Sequence, residues 1–162
     1  MTKINKIDKM IQKKQEPQVM KNLVYMNHNI NTNCKARLKP YTVLESKSFV
    51  TIEKGHNGVD FDNYLNNLYH HRFMICPEGN GMDTHRTWEA LYMGTIPIEK
   101  RNLNNRFYED LPICLVDDWE EITESFLEKA FHRIKSTDWN LKKLEFNFWA
   151  NKIVSSCLVN EQ

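Results

Sequence analysis

The stretch that decides the fold is residues 72–98, RFMICPEGNGMDTHRTWEALYMGTIPI. Arg72-Phe73-Met74-Ile75-Cys76 reads as a continuous apolar strand, of the kind buried on both faces of a parallel sheet. It stops at Pro77-Glu78-Gly79-Asn80-Gly81, a turn built from residues that tolerate unusual backbone angles. Asp83 or Thr84 is placed to cap a helix running through Trp88 and Leu91 to Met93. Gly94 ends that helix, and Thr95-Ile96-Pro97-Ile98 returns as a strand.

The same alternation extends in both directions. Upstream, Leu23-Val24-Tyr25-Met26 is a short apolar strand emptying into the polar stretch 27–33. A helix over Cys34 to Ser46, bent or broken at Pro40, leads to a second strand, Phe49 to Ile52, and a turn at Gly55–Gly58. Asp60 to His71 places Phe61, Tyr64, Leu65 and Leu68 at helical spacing. Downstream, after a polar loop over 99–110, Ile113 to Val116 is another strand and Asp117-Asp118 opens a helix from Trp119 to Ile134. A last amphipathic segment spans Asn140 to Val154. Strands alternating with helices across short connections predict βαβ units and a parallel, doubly wound sheet. The expected fold is α/β: a single Rossmann-like domain over residues 21–162, preceded by a helical or disordered leader over 1–20.

Composition narrows the class. A chain of 162 residues has room for one domain, and 41% hydrophobic with 27% charged residues is ordinary globular usage. Wholly disordered, collagen-like and disulfide-scaffold chains are excluded. With 22 basic against 21 acidic side chains, the net charge of +1 gives no global pull toward nucleic acid or an anionic membrane. Cys34, Cys76, Cys114 and Cys157 form no CxxC pair, so free thiols are expected rather than a zinc or redox motif. The basic N-terminus is not followed by an apolar signal core, and no run reaches the roughly 18 apolar residues of a membrane span. A reducing, cytoplasmic location is the expectation.

In an open α/β sheet, ligands bind beyond the carboxyl ends of the strands. The loops there hold Asn27, Asn29, Asn31 and Thr32 with Arg37 following; Glu78 to Gly81, Asp83, His85 and Arg86; and Glu99, Lys100 and Arg101. Gly79 and Gly81 let the backbone approach a ligand and present N–H groups. The helix N-terminus adds partial positive charge, and Arg86 adds a planar fork that fits phosphate oxygens. Arg86 and Glu89 share a helix face, so one suits a phosphate and the other vicinal hydroxyls; a surface ion pair is the plainer reading. The glycines match neither a dinucleotide GxGxxG after the first strand nor a GxxxxGK[ST] phosphate loop.

The stretch 73–98 resembles the donor-binding half of exostosin-like glycosyltransferases, a family with a GT-B fold of two Rossmann-like domains. The family pattern C-P-x-G-x-G-x-D-x-x-R-x-W-E-A-L is matched by Cys76, Pro77, Gly79, Gly81, Asp83, Arg86, Trp88, Glu89, Ala90 and Leu91. The x-G-x-I-P-[IV] that follows is matched by Gly94, Ile96, Pro97 and Ile98. Weaker similarity over 22–155 brings in Tyr25-Met26-Asn27, Asn31-Thr32 and Arg37, the stretch from Leu115 to Ile122, and Phe146 to Trp149.

The resemblance implies binding of a nucleoside diphosphate sugar, with Arg37 and Arg86 on the diphosphate and Glu89 on the ribose. Asn80, Asp83 and His85 would line the sugar side, and Asn31, Glu78, Gly79 and Gly81 complete the implied site. It implies no metal cofactor, and inverting transfer of the sugar to a glycan or protein hydroxyl. The family's acceptor-binding domain has no counterpart here, so a partner domain or self-association would have to complete the cleft. The alternative is a nucleotide-sugar-binding or partner module that has lost transfer. Glu78 departs from the family, where a basic residue is common, and Asp117-Asp118 reads as a helix cap rather than a metal motif. The adjacent pair His70-His71 does not share a helix face and makes an unlikely metal site.

Overall fold

The computed structural model describes residues 3–15, 18–53 and 60–158. The turn expected at Gly55–Gly58 lies outside them. Five strands, β1 (Asn22–Met26), β2 (Val50–Ile52), β3 (His71–Ile75), β4 (Ile96–Lys100) and β5 (Cys114–Val116), form one sheet in the order β2-β1-β3-β4-β5. Every neighbouring pair is parallel, with Val24 opposite both Val50 and Phe73, Phe73 opposite Ile96, and Ile98 opposite Cys114. The helices are α1 (Lys3–Lys14), α2 (Cys34–Leu44), α3 (Phe61–His70), α4 (His85–Met93), α5 (Glu124–Lys135) and α6 (Phe146–Leu158). This is a Rossmann-like α/β domain.

The period of two along a strand explains how both faces are filled. Val24, Phe73, Ile75 and Ile98 point to one side, where Leu44 of α2 and Leu127 and Ile134 of α5 cover them. Tyr25, Met74 and Cys76 lie in the opposite core with Leu65 and Leu68 of α3, Ala90 and Met93 of α4 and Met10 of α1. Phe73 is completely buried, so truncating it to alanine would cost about 3–5 kcal/mol. Over the described residues the N-terminal segment is helical and packs on the domain. Met10 enters the core, and Gln18 Nε2 donates to the carbonyls of Tyr69 (3.1 Å) and Met93 (3.4 Å).

Two expected helices are divided. Asp118 and Glu121 form a reciprocal capping box around a 3-10 turn, Trp119–Glu121, and α5 begins only after Thr123, whose hydroxyl accepts from Phe126 N at 3.2 Å. Ile122, extended and 1% exposed, is held in the core between the two pieces. The segment from Asn140 likewise divides at Glu145 into a 3-10 turn, Leu141–Leu144, and α6. Helix α2 continues through Pro40, and Gly94 closes α4 at a positive φ of 79°. Among the described residues, no helix is long and apolar enough to cross a membrane.

Candidate functional site

Because β1 lies between β2 and β3, the connections leaving the carboxyl ends of β1 and β3 diverge, and a crevice opens between them. Asn33 ties the two sides together. Its Oδ1 accepts from Ala36 N (3.2 Å), starting α2, while its Nδ2 donates to the carbonyl of Gly79 (2.7 Å). One turn later Arg37 spans the same gap, donating from Nε to Glu78 O (2.8 Å) and from Nη1 to Asn29 O (3.0 Å). Arg86, in the first turn of α4, donates from Nε to Asn27 O at 2.6 Å.

Both guanidiniums are buried, at 3% and 8% exposure, and neither pairs with a carboxylate among the described residues. Backbone carbonyls satisfy part of each fork. Burial and the neighbouring charge of Arg86 both lower the pKa of Arg37. Among the described residues, the only sealed side-chain nitrogens without a partner are Nδ1 of His28 and Nε2 of His71. The unbonded terminal amino groups of Arg86 therefore reach the surface rather than being closed in.

The glycine turn is shaped around this pair. Gly79 N donates to Gly81 O at 3.0 Å, closing the turn on itself. A Cβ on Gly79 would lie 3.0 Å from Arg37 Nη2, and that close approach is what requires glycine there. Thr84 occupies the cap position of α4 but makes no side-chain capping bond, and Asp83 instead accepts from Trp88 Nε1 at 3.0 and 3.2 Å. Neither residue caps the helix as the sequence suggested. Asn80, Gly81 and His85 are exposed on one rim, and Asn31 is exposed on the other.

The acidic residues are turned aside. Glu78 Oε1 accepts from Asn102 Nδ2 at 2.9 Å, toward the loop after β4. Glu89 is buried and accepts from the Tyr64 hydroxyl at 2.7 Å, toward α3. Arg86 and Glu89 are not a surface ion pair: both are buried, and Arg86 makes its bond across the crevice to β1.

Sequence reasoning placed Asn27 in the ligand-facing loop after β1 but passed over His28 beside it. Asn27 and His28 are each only 6% exposed. Asn27 Nδ2 donates to Tyr25 Oη (2.9 Å) and Glu53 Oε2 (3.3 Å), and Glu53 also accepts from Tyr25 and from Asn67 (2.6 Å). This network fixes the peptide whose carbonyl holds Arg86. His28 Nε2 lies 3.1 Å from Arg37 O, and burial with the charges of Arg37 and Arg86 lowers its pKa to about 4, so the ring is neutral. His28 lines a cleft of about 280 Å³ with Met26, Asn29, Asn31, Tyr41 and Ile52 among its other walls. The available signal was polar residues continuing a strand that ends fully buried.

A second buried cluster lies at the end of β4. Glu99, assigned to a loop by sequence, belongs to the strand and is 3% exposed. It accepts from Thr87 Oγ1, Asn105 Nδ2 (2.6 Å) and Tyr108 Oη (3.1 Å). Burial outweighs those donors and raises its pKa to about 7, with the charge of Asp83 adding to the rise.

Cys76 is buried and its thiol is pushed up by burial and by Glu99, which makes it a poor nucleophile; Cys34 is exposed at the start of α2. His70 bonds to Asn66 O on α3 while His71 belongs to β3. Among the described residues no three His, Cys, Asp or Glu side chains are grouped to hold a metal. Compared with known proteins, the chain matches no family model and no curated protein.

Proposed function

We propose that this chain is a glycosyltransferase donor domain that binds a nucleoside diphosphate sugar at the crevice between β1 and β3. One observation carries the reading: Arg37 and Arg86 are buried beside each other without a carboxylate, at the position where parallel sheets bind ligands. A diphosphate supplies the two negative charges this pair lacks. Charge-assisted hydrogen bonds from planar guanidiniums are about twice as strong as neutral ones. The turn over 78–81 and the uncapped start of α4 add N–H groups and a partial positive charge on the same side. The likeness of residues 73–98 to exostosin-like donor domains supports the same assignment.

In transfer, an acceptor hydroxyl attacks the anomeric carbon as the bond to the diphosphate oxygen breaks. The electron pair leaves with the diphosphate, where Arg37 and Arg86 stabilise the charge that develops. The hydroxyl proton passes to a base on an acceptor domain outside the described residues. No metal is required, because the guanidiniums occupy the role of the counter-charge.

Calorimetric titration with UDP, GDP and their sugars, without metal and then with Mn²⁺, tests the assignment. Metal-independent binding of one nucleotide, lost in Arg86→Met, is the expected result. A folded protein that binds none of them overturns the reading. Binding without transfer in the presence of candidate acceptor domains would favour a partner module that only recognises the nucleotide sugar.

A further inference from the structure

We infer that His28 is a specificity-determining hydrogen-bond acceptor of this site, taking an N–H or O–H from the non-phosphate part of a ligand seated on Arg37 and Arg86. The inference rests on the donor-site reading and adds what that reading leaves open, namely which part of the ligand beyond its phosphates is recognised.

The tautomer follows from the partner. The carbonyl of Arg37 can only accept, so Nε2 at 3.1 Å must carry the proton. Nδ1 is then either a bare lone pair or a second N–H on a charged ring. Burial and the two guanidiniums disfavour the charged ring strongly. Nδ1 is therefore a lone-pair acceptor with no donor to satisfy it, and it is closed off in the free protein, so a ligand reaches it only by displacing the groups that cover it. Leaving a buried acceptor unpaired is costly, and a native structure rarely does so without a reason.

The donors nearest in kind do not serve. Arg37 spends Nε and Nη1 on carbonyls and Arg86 spends Nε on Asn27 O, and the amino groups they leave free make no bond to Nδ1. Asn27 directs its amide to Tyr25 and Glu53. What remains is the cleft that His28 itself lines, with walls from Met26, Ile30, Tyr41 and Ile52, amides from Asn29 and Asn31, and the Glu53 carboxylate, which already accepts from Tyr25, Asn27 and Asn67. A phosphate ionised at neutral pH offers no donor, so it can answer the arginines and leave Nδ1 orphaned. A sugar hydroxyl or a nucleobase N–H attached to that phosphate answers both. The site thereby discriminates a nucleoside diphosphate from pyrophosphate of equal charge, since a site built to bond a donor rejects the analogue lacking it.

The test compares UDP, GDP and pyrophosphate against wild type and His28→Phe by calorimetry. The expected result is a loss of about ten-fold in nucleotide affinity in His28→Phe, with pyrophosphate affinity unchanged. Equal losses for both ligands, or no loss for either, overturn the role of His28 while leaving the donor site standing. Wild type that binds neither ligand overturns the donor site and this inference together. Should His28→Phe not fold, nitrogen NMR of ring-labelled wild type decides the matter. The Nδ1 resonance of His28 is expected to move from its bare position on adding nucleotide and to stay on adding pyrophosphate. An Nδ1 already hydrogen-bonded in the free protein and unmoved by nucleotide overturns the inference.

Discussion

The crest of the sheet buries charge in two places, and the two are built in opposite ways. At the end of β4, Glu99 is enclosed by Thr87, Asn105 and Tyr108, all donating to it, and little is left for a ligand to add. At the ends of β1 and β3, Arg37 and Arg86 bond only to carbonyls, repel each other, and have beside them a histidine nitrogen with no donor. The first arrangement is closed and holds the loop after β4 against the first turn of α4. The second is incomplete, and its missing parts are negative charge and a hydrogen-bond donor. A buried charge surrounded by its own partners fits a scaffold role; one left short of them fits the ligand site proposed above.

The largest expected effect breaks the comparison on the Glu99 side. Its folded pKa of about 7 lies above the ordinary carboxylate value, so its stabilising contribution is full below about 4.5 and is lost as pH rises through about 7. His28 has the reverse sign, since its lowered pKa makes it destabilising as pH falls from 6.5 toward about 4. The two slopes oppose each other in the wild type, so the informative quantity is the difference from Glu99→Gln. Between pH 4 and pH 8 that difference should move by roughly 3 kcal/mol in favour of the glutamine variant. Chemical denaturation across this range measures it. A constant difference would show that Glu99 titrates normally and that the cluster is open to water.

Arg86→Met follows in size and tests the other side. Loss of a charge-assisted contact to phosphate should weaken nucleotide binding by about 30-fold, roughly 2 kcal/mol. Thermal stability should change little, because the variant loses one bond to Asn27 O and also the repulsion from Arg37. A melting temperature that collapses while affinity survives would assign Arg86 to the scaffold and remove the contrast with Glu99.

The parts of this division visible in the sequence are those set by local chemistry. Apolar strands, glycine turns and helical spacing placed all five strands and the turn at 77–81, because each is dictated by residues within a few positions. Arg86 was legible for the same reason, lying one turn after that loop. The surroundings of Glu99 were not, since a glutamate beside Lys100 and Arg101 reads as solvated until Asn105 and Tyr108 fold back over it. His28 was hidden in the same way: its burial depends on α2 crossing it nine residues later. The break before α5 had a local signal in Thr123, a good cap, masked by apolar spacing that continues across it. Asp83 was misread because Trp88 offers an indole N–H that outcompetes the helix amides for its carboxylate.

A smaller effect sharpens the arginine side. In Gly79→Ala the new Cβ would meet Nη2 of Arg37 at 3.0 Å, and Arg37 cannot swing freely because two carbonyls hold it. Displacing the guanidinium by a few tenths of an ångström should reduce nucleotide affinity by about five-fold, roughly 1 kcal/mol. The fold should persist, since the glycine does not sit at positive φ. Calorimetry beside a thermal melt checks both. Unchanged affinity would mean that Arg37 acts only as the clasp between Asn29 and Glu78.

The smallest effect concerns the carboxylate nearest the turn. Glu78 directs Oε1 to Asn102 rather than into the crevice, so its charge acts on a bound diphosphate only at a distance and through solvent. Glu78→Gln keeps the acceptor for Asn102 and removes the charge alone. Nucleotide affinity should rise by no more than about two-fold at low ionic strength, and the gain should vanish at about 0.5 M salt, where screening is strong. A gain of ten-fold or more would place the carboxylate against the phosphates. A loss would mean that Glu78 accepts from the ligand, and the acidic residues at this crest would then divide between the two clusters rather than belonging to the closed one.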